Sequence, residues 1–347
     1  MRVLLVAAVL LTAPQAPSVP SPPDADACLA CHSDPSLSMT TTDGKPVSVH
    51  VEGSALGGSV HARLACSDCH TGKTDTPHES RTIRSARDLT LAYDESCRRC
   101  HFSNYTKTLD SVHQAAVARG DRTAPVCVDC HGSHDIQKAA APRTRVSETC
   151  ARCHQGAAAA YAKSVHGRQL GTANAADVPV CTDCHRSHDI GGPHQQKWGL
   201  STADMCGRCH ADETLMKKYN LSTGVLRTYL ADFHGKTASL RQHQGTSSAD
   251  GAVVARCTDC HGIHDIEKAD DPSSPVLKAT LQRTCQKCHA GANPNFSDAW
   301  LSHYEPSMTK APAVYAVKIG YAILIPFMIG GLGLQILLHL WRLMVNR

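Results

Sequence analysis

The stretch PVCVDCHGSHDI, residues 125–136, recurs as PVCTDCHRSHDI at 179–190 and as ARCTDCHGIHDI at 255–266. Each copy contains a Cys-x-x-Cys-His motif, and a second histidine follows three residues after the motif histidine, in the sequence His-Asp-Ile. Recurrence at this level indicates a chain built from similar structural units. The role of the second histidine therefore decides how those units are joined.

All 18 cysteines fall in nine Cys-x-x-Cys-His motifs. Zinc ligation, disulfides and covalent attachment of c-type haem compete to explain such spacing. Zinc sites do not require a histidine directly after the second cysteine, and redox disulfides of this spacing come singly. Haem attachment needs all three residues, because two thiols bond the porphyrin and the histidine reaches the iron.

We therefore predict nine covalently bound haem c groups, each with its iron. The thioether residues are Cys28, Cys31, Cys66, Cys69, Cys97, Cys100, Cys127, Cys130, Cys150, Cys153, Cys181, Cys184, Cys206, Cys209, Cys257, Cys260, Cys285 and Cys288. The proximal iron ligands are His32, His70, His101, His131, His154, His185, His210, His261 and His289.

The composition is poor in the residues that fill ordinary cores, since aromatic residues make up only 4% of the chain. Haem is itself a large apolar body around which side chains can pack. The 18 prolines and 24 glycines indicate many turns. The predicted fold class is mainly α with much irregular structure, a multihaem cytochrome c built from repeated two-haem units, which we expect not to fold stably without haem.

The motifs alternate between two types. Type-two motifs carry aspartate before the second cysteine, and type-one motifs do not. The alternation predicts a nine-haem domain at 28–305, with repeats at about 28–96, 97–149, 150–205 and 206–284 and a half repeat at 285–305.

Three of the four type-two motifs are followed by His-Asp-Ile, and each type-one motif is followed by a histidine in a short helical segment such as GGSVHAR or AKSVHGR. The first type-two motif is followed instead by TGKTDTPHE, in which His78 is the natural equivalent. These histidines number nine, one for each haem. The predicted distal iron ligands are His61, His78, His113, His134, His166, His188, His234, His264 and His303. No role is assigned to His50, His194, His243 or His339, although His50 competes with His61.

The His-Asp-Ile histidine lies too close to its own motif to reach the opposite face of the same haem. Three residues of backbone span at most about 10 Å, and the proximal histidine already holds one face. We predict that this second histidine ligates a different haem and so ties two haems together.

Both ends of the chain are apolar. Residues 1–16 have the length of a secretory signal, with a linker at 17–27. Residues 319–341 form an apolar stretch long enough to cross a bilayer, after a juxtamembrane linker at 306–318 and before a tail at 342–347. We expect the haem domain in the bacterial periplasm and the C-terminus in the cytoplasm, across the inner membrane.

The formal charge of +4 does not indicate a nucleic-acid partner. Nine ferric haems at about −1 each would bring the protein near −5, and no basic run of the kind found in nucleic-acid-binding arms is present.

The stretch CLACHSDPSL, with GGSVHARLACSDCH after it, resembles multihaem cytochromes c of the cytochrome c3-like and related respiratory families. It is particularly similar to haem domains found beside membrane cytochrome b subunits. The resemblance implies electron transport and, as partners, a membrane cytochrome b or other quinone-linked subunit and periplasmic or outer-membrane redox proteins. Because the sequence ends soon after the apolar stretch, we expect the cytochrome b to be a separate protein or absent.

Three functions fit these features. The first is electron transfer without catalysis, and the second is an enzyme of the nitrite reductase or hydroxylamine oxidoreductase kind, with one catalytic haem. The third is a scaffold for another subunit. Such enzymes keep one iron with an open position or an unusual ligand, and nine distal candidates leave none obviously vacant. Electron transfer is the function that the sequence favours.

The nine motifs predict nine haems on every mature chain. Intact mass spectrometry of the purified protein should give the mass of the processed chain plus nine haems. A fully matured protein carrying fewer would show that at least one motif is not an attachment site.

Overall fold

The computed structural model describes residues 24–345 except 74, 76, 80, 140–141, 193–194, 245–253 and 300–302. For residues 196, 197, 243, 244 and 299 it describes the backbone only. The predicted signal at 1–16 and most of the 17–27 linker lie outside this range. The described chain is mostly helical with irregular connections, as predicted. It divides into two compact units, one comprising the residues up to Cys153 with His185–Gly191, the other His154–Cys184 with the residues from Gly192 onward.

The first unit contains eight helices and one small antiparallel sheet among its described residues. Strands β1 (Ser38–Thr40) and β2 (Pro46–Ser48) pair with Met39 opposite Val47. The helices are α1 Ala25–His32, α2 Gly53–Gly57, α3 Cys66–Cys69, α4 Ala86–Cys100, α5 Phe102–Thr108, α6 Val112–Ala118, α7 Cys127–His131 and α8 Thr144–Ala151.

The second unit continues with short helices and ends in one long helix. These are α9 Gln155–Lys163, α10 Gly167–Leu170, α11 Cys181–His185, α12 Gln196–Leu200, α13 Thr202–His210, α14 Glu213–Lys218, α15 Val225–Ala231, α16 Phe233–Gln244, α17 Cys257–His261, α18 Lys278–Gln286 and α19 Pro312–Val345. A 3-10 turn at Phe296–Ala299 precedes α19.

The two motif types occupy opposite ends of helices. Every type-two motif begins a helix at its first cysteine, and the motif aspartate accepts a hydrogen bond from the backbone N–H just before that helix. The N–H groups belong to Ala65, Val126, Val180 and Arg256, and the distances are 2.8, 2.7, 2.7 and 2.8 Å. A carboxylate in the first turn also suits the positive end of the helix dipole.

Type-one motifs instead lie toward the ends of helices, where four of the five carry Arg or Lys before the second cysteine. Each of these cations donates to the backbone carbonyl of the aspartate in the preceding type-two motif. The pairs are Arg99 with Asp68, Arg152 with Asp129, Arg208 with Asp183 at 2.5 Å and Lys287 with Asp259 at 3.5 Å. Each such bond holds two consecutive motifs side by side.

A second recurring bond joins more distant parts of the chain. The valine of a Ser-Val-His segment donates its backbone N–H to the isoleucine carbonyl of a His-Asp-Ile segment. The three pairs are Val60 with Ile136 at 2.8 Å, Val112 with Ile190 at 3.0 Å and Val165 with Ile266 at 2.8 Å. Each bond thus holds a Ser-Val-His segment against a His-Asp-Ile segment, and each of these two segments carries a predicted distal histidine.

The apolar core of the protein part is small. The buried apolar residues among those described are mainly alanine and valine, and the fully buried side chains are the serines Ser164 and Ser274. One cluster, in the second unit, packs Tyr229 with Ala203 and Ala238. This core leaves apolar side chains such as Phe233, 81% exposed, without cover from the protein.

Helix α19 begins at Pro312, seven residues before the predicted span, so half of the predicted juxtamembrane linker is helical. Its 34 residues extend about 51 Å, more than a bilayer core requires. None of its described side chains is buried, and it is long and apolar enough to cross a membrane. Pro326 lies inside it, as membrane helices tolerate.

Candidate haem sites

The structure brings seven predicted proximal histidines against seven predicted distal ones. Their ring centres are 5.9 to 6.3 Å apart, with angles of 16° to 60° between ring planes. The pairs are His32–His78, His70–His134, His101–His61, His131–His188, His210–His166, His261–His303 and His289–His234.

This separation fits one metal atom between two imidazoles. A metal–nitrogen bond of about 2 Å on each side, and roughly 1.1 Å from nitrogen to ring centre, puts the ring centres about 6.2 Å apart. Rings in direct face contact would lie closer together. The residues present therefore suit a haem iron with histidine on both faces.

The histidine pairs also show where the His-Asp-Ile segments point. His134 lies three residues after His131, yet its ring faces His70, 6.0 Å away. The ring facing His131 belongs to His188, from the next repeat. The segments of His134 and His188 thus both reach back to the preceding type-two motif, which is the geometry expected if each histidine serves a different haem.

The helical histidines reach in the opposite direction along the chain. His61 faces His101, His166 faces His210, and His234 faces His289. In each case the partner is the next type-one motif. His78 and His303, whose sequence contexts differ from those of the other distal candidates, face His32 of the first motif and His261 of the eighth.

Besides these fourteen histidines, the sequence contains four further predicted ligands and four histidines without an assigned role. The roles of proximal His154 and His185 and of distal His113 and His264 rest on the sequence. The His185 Nδ1 lies 3.0 Å from the Gly191 carbonyl. Of the four histidines without an assigned role, His50 follows β2 and its Nε2 lies 3.9 Å from a Glu52 oxygen, while His61 occupies the place opposite His101. His194 and the side chain of His243 lie outside the described residues, and His339 is exposed on α19.

Partial burial lowers the pKa of eight of the paired imidazoles and so favours their neutral form. It lowers the pKa of His166 to about 4, and nearby His210 acts in the same direction. Burial is likewise the first cause of lowered pKa values at His70, His131, His134, His188, His210, His261 and His303. A neutral imidazole has a lone pair to offer a metal, so these side chains are ready to ligate at neutral pH.

One proximal histidine shows how the backbone can orient a ring. The His32 Nδ1 lies 2.7 Å from the Val49 carbonyl just after β2, a distance that suits an Nδ1–H donating to this oxygen. Such a bond leaves Nε2 for a metal and fixes the plane of the ring. The small sheet thus positions the first predicted site.

Within each unit, cysteines of consecutive motifs lie next to each other. Cys28 and Cys66 lie within 4.8 Å of each other, Cys97 and Cys127 share a hydrogen bond, and so do Cys206 and Cys257. Further neighbours along the series are Cys69 with Cys97, Cys130 with Cys153, Cys184 with Cys209 and Cys260 with Cys285. Within each unit, attachment points that follow one another in sequence therefore follow one another in space.

Sequence reasoning did not foresee the structural roles of two kinds of residue. The type-two aspartates and the cations of the type-one motifs were visible as a pattern, but the bond between them was not. Asp24 and Asp94 accept hydrogen bonds from the attachment cysteines Cys66 and Cys127. Their position shortly before Cys28 and Cys97 is the one sequence signal that distinguishes them. Asp24, Cys28 and Cys66 form the one His/Cys/Asp/Glu group among the described residues close enough to hold a bare metal ion.

Residues 121–211 match the family model described as cytochrome c3. This segment contains four of the nine motifs, and the match supports a multihaem c-type cytochrome with covalently bound haem. No curated protein matches the chain. No solved structure matches it either.

The geometry predicts the effect of removing His188. In the full chain, His188→Ala should produce one high-spin iron in the EPR spectrum of the oxidised protein, because one iron loses an axial imidazole. The same substitution combined with Cys127→Ser and Cys130→Ser, which removes the haem that His131 would hold, should show no high-spin signal.

Two controls accompany this pair of variants. His50→Ala should leave the spectrum unchanged, and the double cysteine variant alone should show eight low-spin irons. A high-spin signal that persists in the combined variant would mean that His188 serves a motif other than that of His131.

Proposed function

We propose that this protein is a membrane-anchored periplasmic nonahaem c-type cytochrome. It carries electrons along a bis-His haem wire, between the quinone pool or a membrane cytochrome b and periplasmic redox partners. The observation that carries the proposal is the set of seven imidazole pairs at iron-ligating separation. The match of residues 121–211 to the cytochrome c3 family supports the same function.

The side chains fit electron transfer better than catalysis. When bound, haem iron would supply reversible one-electron chemistry. The paired imidazoles would occupy both axial positions in each of seven sites and so exclude a small substrate from the metal. The cysteine pairs would hold the cofactors by two bonds each, and the contacts between consecutive motifs would keep neighbouring sites close.

The ligand type also sets the expected range of potentials. Two imidazoles give lower potentials than a histidine–methionine pair. In the seven pairs of facing rings, both side chains that could ligate an iron are histidines. Low potentials suit exchange with a quinone pool or with low-potential periplasmic partners.

We further propose that α19 docks against a membrane cytochrome b. An anchor needs apolar length alone, but this helix also carries Gly330, Gly331 and Gly333, and nothing lies within 4 Å of the position that a Cβ would occupy at any of them. Small residues allow another helix to approach closely. Gln335 and His339, four residues apart, place polar groups on one face of the apolar span.

Replacing residues 319–341 with an unrelated single-pass anchor of equal length tests both parts of the proposal. In native membranes, quinol should reduce the haems of the unaltered protein, measured in the α-band of the absorption spectrum. We expect the replacement to slow quinol-dependent reduction while reduction by dithionite remains complete.

Dithionite reduction and haem content are the controls for a correctly assembled domain. Undiminished quinol-dependent reduction would show that the native helix supplies attachment only, and the docking proposal would fall. If quinol reduces neither protein while dithionite reduces both, the link to the quinone pool is wrong.

A further inference from the structure

Two carboxylates lie against the attachment cysteines of the first two repeats. Asp94 stands three residues before Cys97, in α4, and Asp24 stands four residues before Cys28, directly before α1. Each accepts a hydrogen bond from the backbone N–H of the first cysteine of the following type-two motif, Cys127 and Cys66. Each carboxylate therefore contacts one predicted attachment cysteine and lies near a second, since Asp24 is within 4.8 Å of Cys28 and Asp94 precedes Cys97 by one turn of α4.

Asp94 is a buried charge with a defined orientation. Its side chain is only 7% exposed. One oxygen accepts from the Arg98 guanidinium at 2.6 Å, and the other accepts from the Cys127 N–H at 3.2 Å. The Asp94 carboxylate thus lies between Arg98 and Cys127. The motif that begins at Cys127 therefore faces the negatively charged member of the ion pair.

Asp24 presents its charge to the first two motifs without a cation of its own. Its oxygens accept from the N–H groups of Cys66 at 2.7 Å and Ser67 at 3.0 Å. Ligand atoms of Asp24, Cys28 and Cys66 lie within 4.8 Å of one another. None of the ion pairs found among the described residues involves Asp24.

The fourth repeat has no carboxylate at the corresponding places. The residues four and three positions before Cys206 are Thr202 and Ala203, and both are buried. Asp204, one residue further on, is exposed and accepts from Gln242. Water screens an exposed charge far more than a buried one. The buried Asp94 and the half-buried, hydrogen-bonded Asp24 therefore make the first two repeats electrostatically different from the fourth.

We propose that Asp24 and Asp94 lower the reduction potentials of the haems attached at Cys66 and Cys127, giving the haem wire lower potentials in its N-terminal repeats than in its fourth. A fixed negative charge stabilises the oxidised iron, which carries one more positive charge than the reduced iron. The inference rests on the proposed function, because it requires haems at these motifs.

The test is a spectroscopic redox titration of the full-length haem-loaded protein carrying Asp94→Asn. We expect an upward shift of the midpoint potential of at least one haem. Glu95→Gln removes an exposed carboxylate from the adjacent residue of the same helix and should leave all midpoints in place. Asp94→Asn with Arg98→Gln should still shift upward, though less, because the variant loses a positive charge together with the negative one.

Asp24→Asn provides a second measurement that does not depend on α4 folding normally around an altered ion pair. It should also raise at least one midpoint potential. Unchanged midpoints in both single variants, or a Glu95→Gln shift as large as that of Asp94→Asn, would overturn the inference. If the unaltered protein lacks haem at these motifs by mass, the proposed function itself fails, so the two failures are distinguishable.

Discussion

The structure depends on one spacing, that of two imidazole rings held about 6 Å apart with room for a metal between them. Seven pairs of histidines have this spacing although they come from positions scattered along the chain. Imidazoles facing each other across a gap would be poor packing in an ordinary core, where dense contacts stabilise the fold. They make physical sense as the two axial ligands of an iron.

The rest of the polypeptide positions these rings with very little core of its own. Aspartate starts one kind of motif helix, and arginine or lysine lies near the end of the other, so each charge suits its end of the helix dipole. The same cations bond to the backbone of the preceding motif. Because the described buried apolar residues are few and mostly small, the haems would complete the interior, and their number would govern stability.

Local features of this fold could be predicted from the sequence, and long-range contacts could not. The motifs, the alternation of two types and the apolar helix are all encoded within a few residues. The partner of each distal histidine is not, since His188 and His131 are 57 positions apart and only the folded chain shows that they meet. Similarly, Asp94 and Glu95 are alike in sequence, and only the structure shows that Asp94 is buried against Cys127 while Glu95 is exposed. The predicted span starts at residue 319, after the charge of Lys318, whereas α19 starts at Pro312, because a helix can extend beyond the uncharged stretch that would cross the bilayer.

We propose histidine on both faces of every haem iron, and quantitative EPR of the oxidised, fully loaded protein can check this ligation. Two imidazoles give a strong ligand field, so we expect only low-spin iron, with an integrated intensity equal to the haem content. A high-spin signal amounting to one iron per protein would contradict it. Such a signal would mean that one iron lacks a second imidazole, and it would favour the alternative of an enzyme with one catalytic haem.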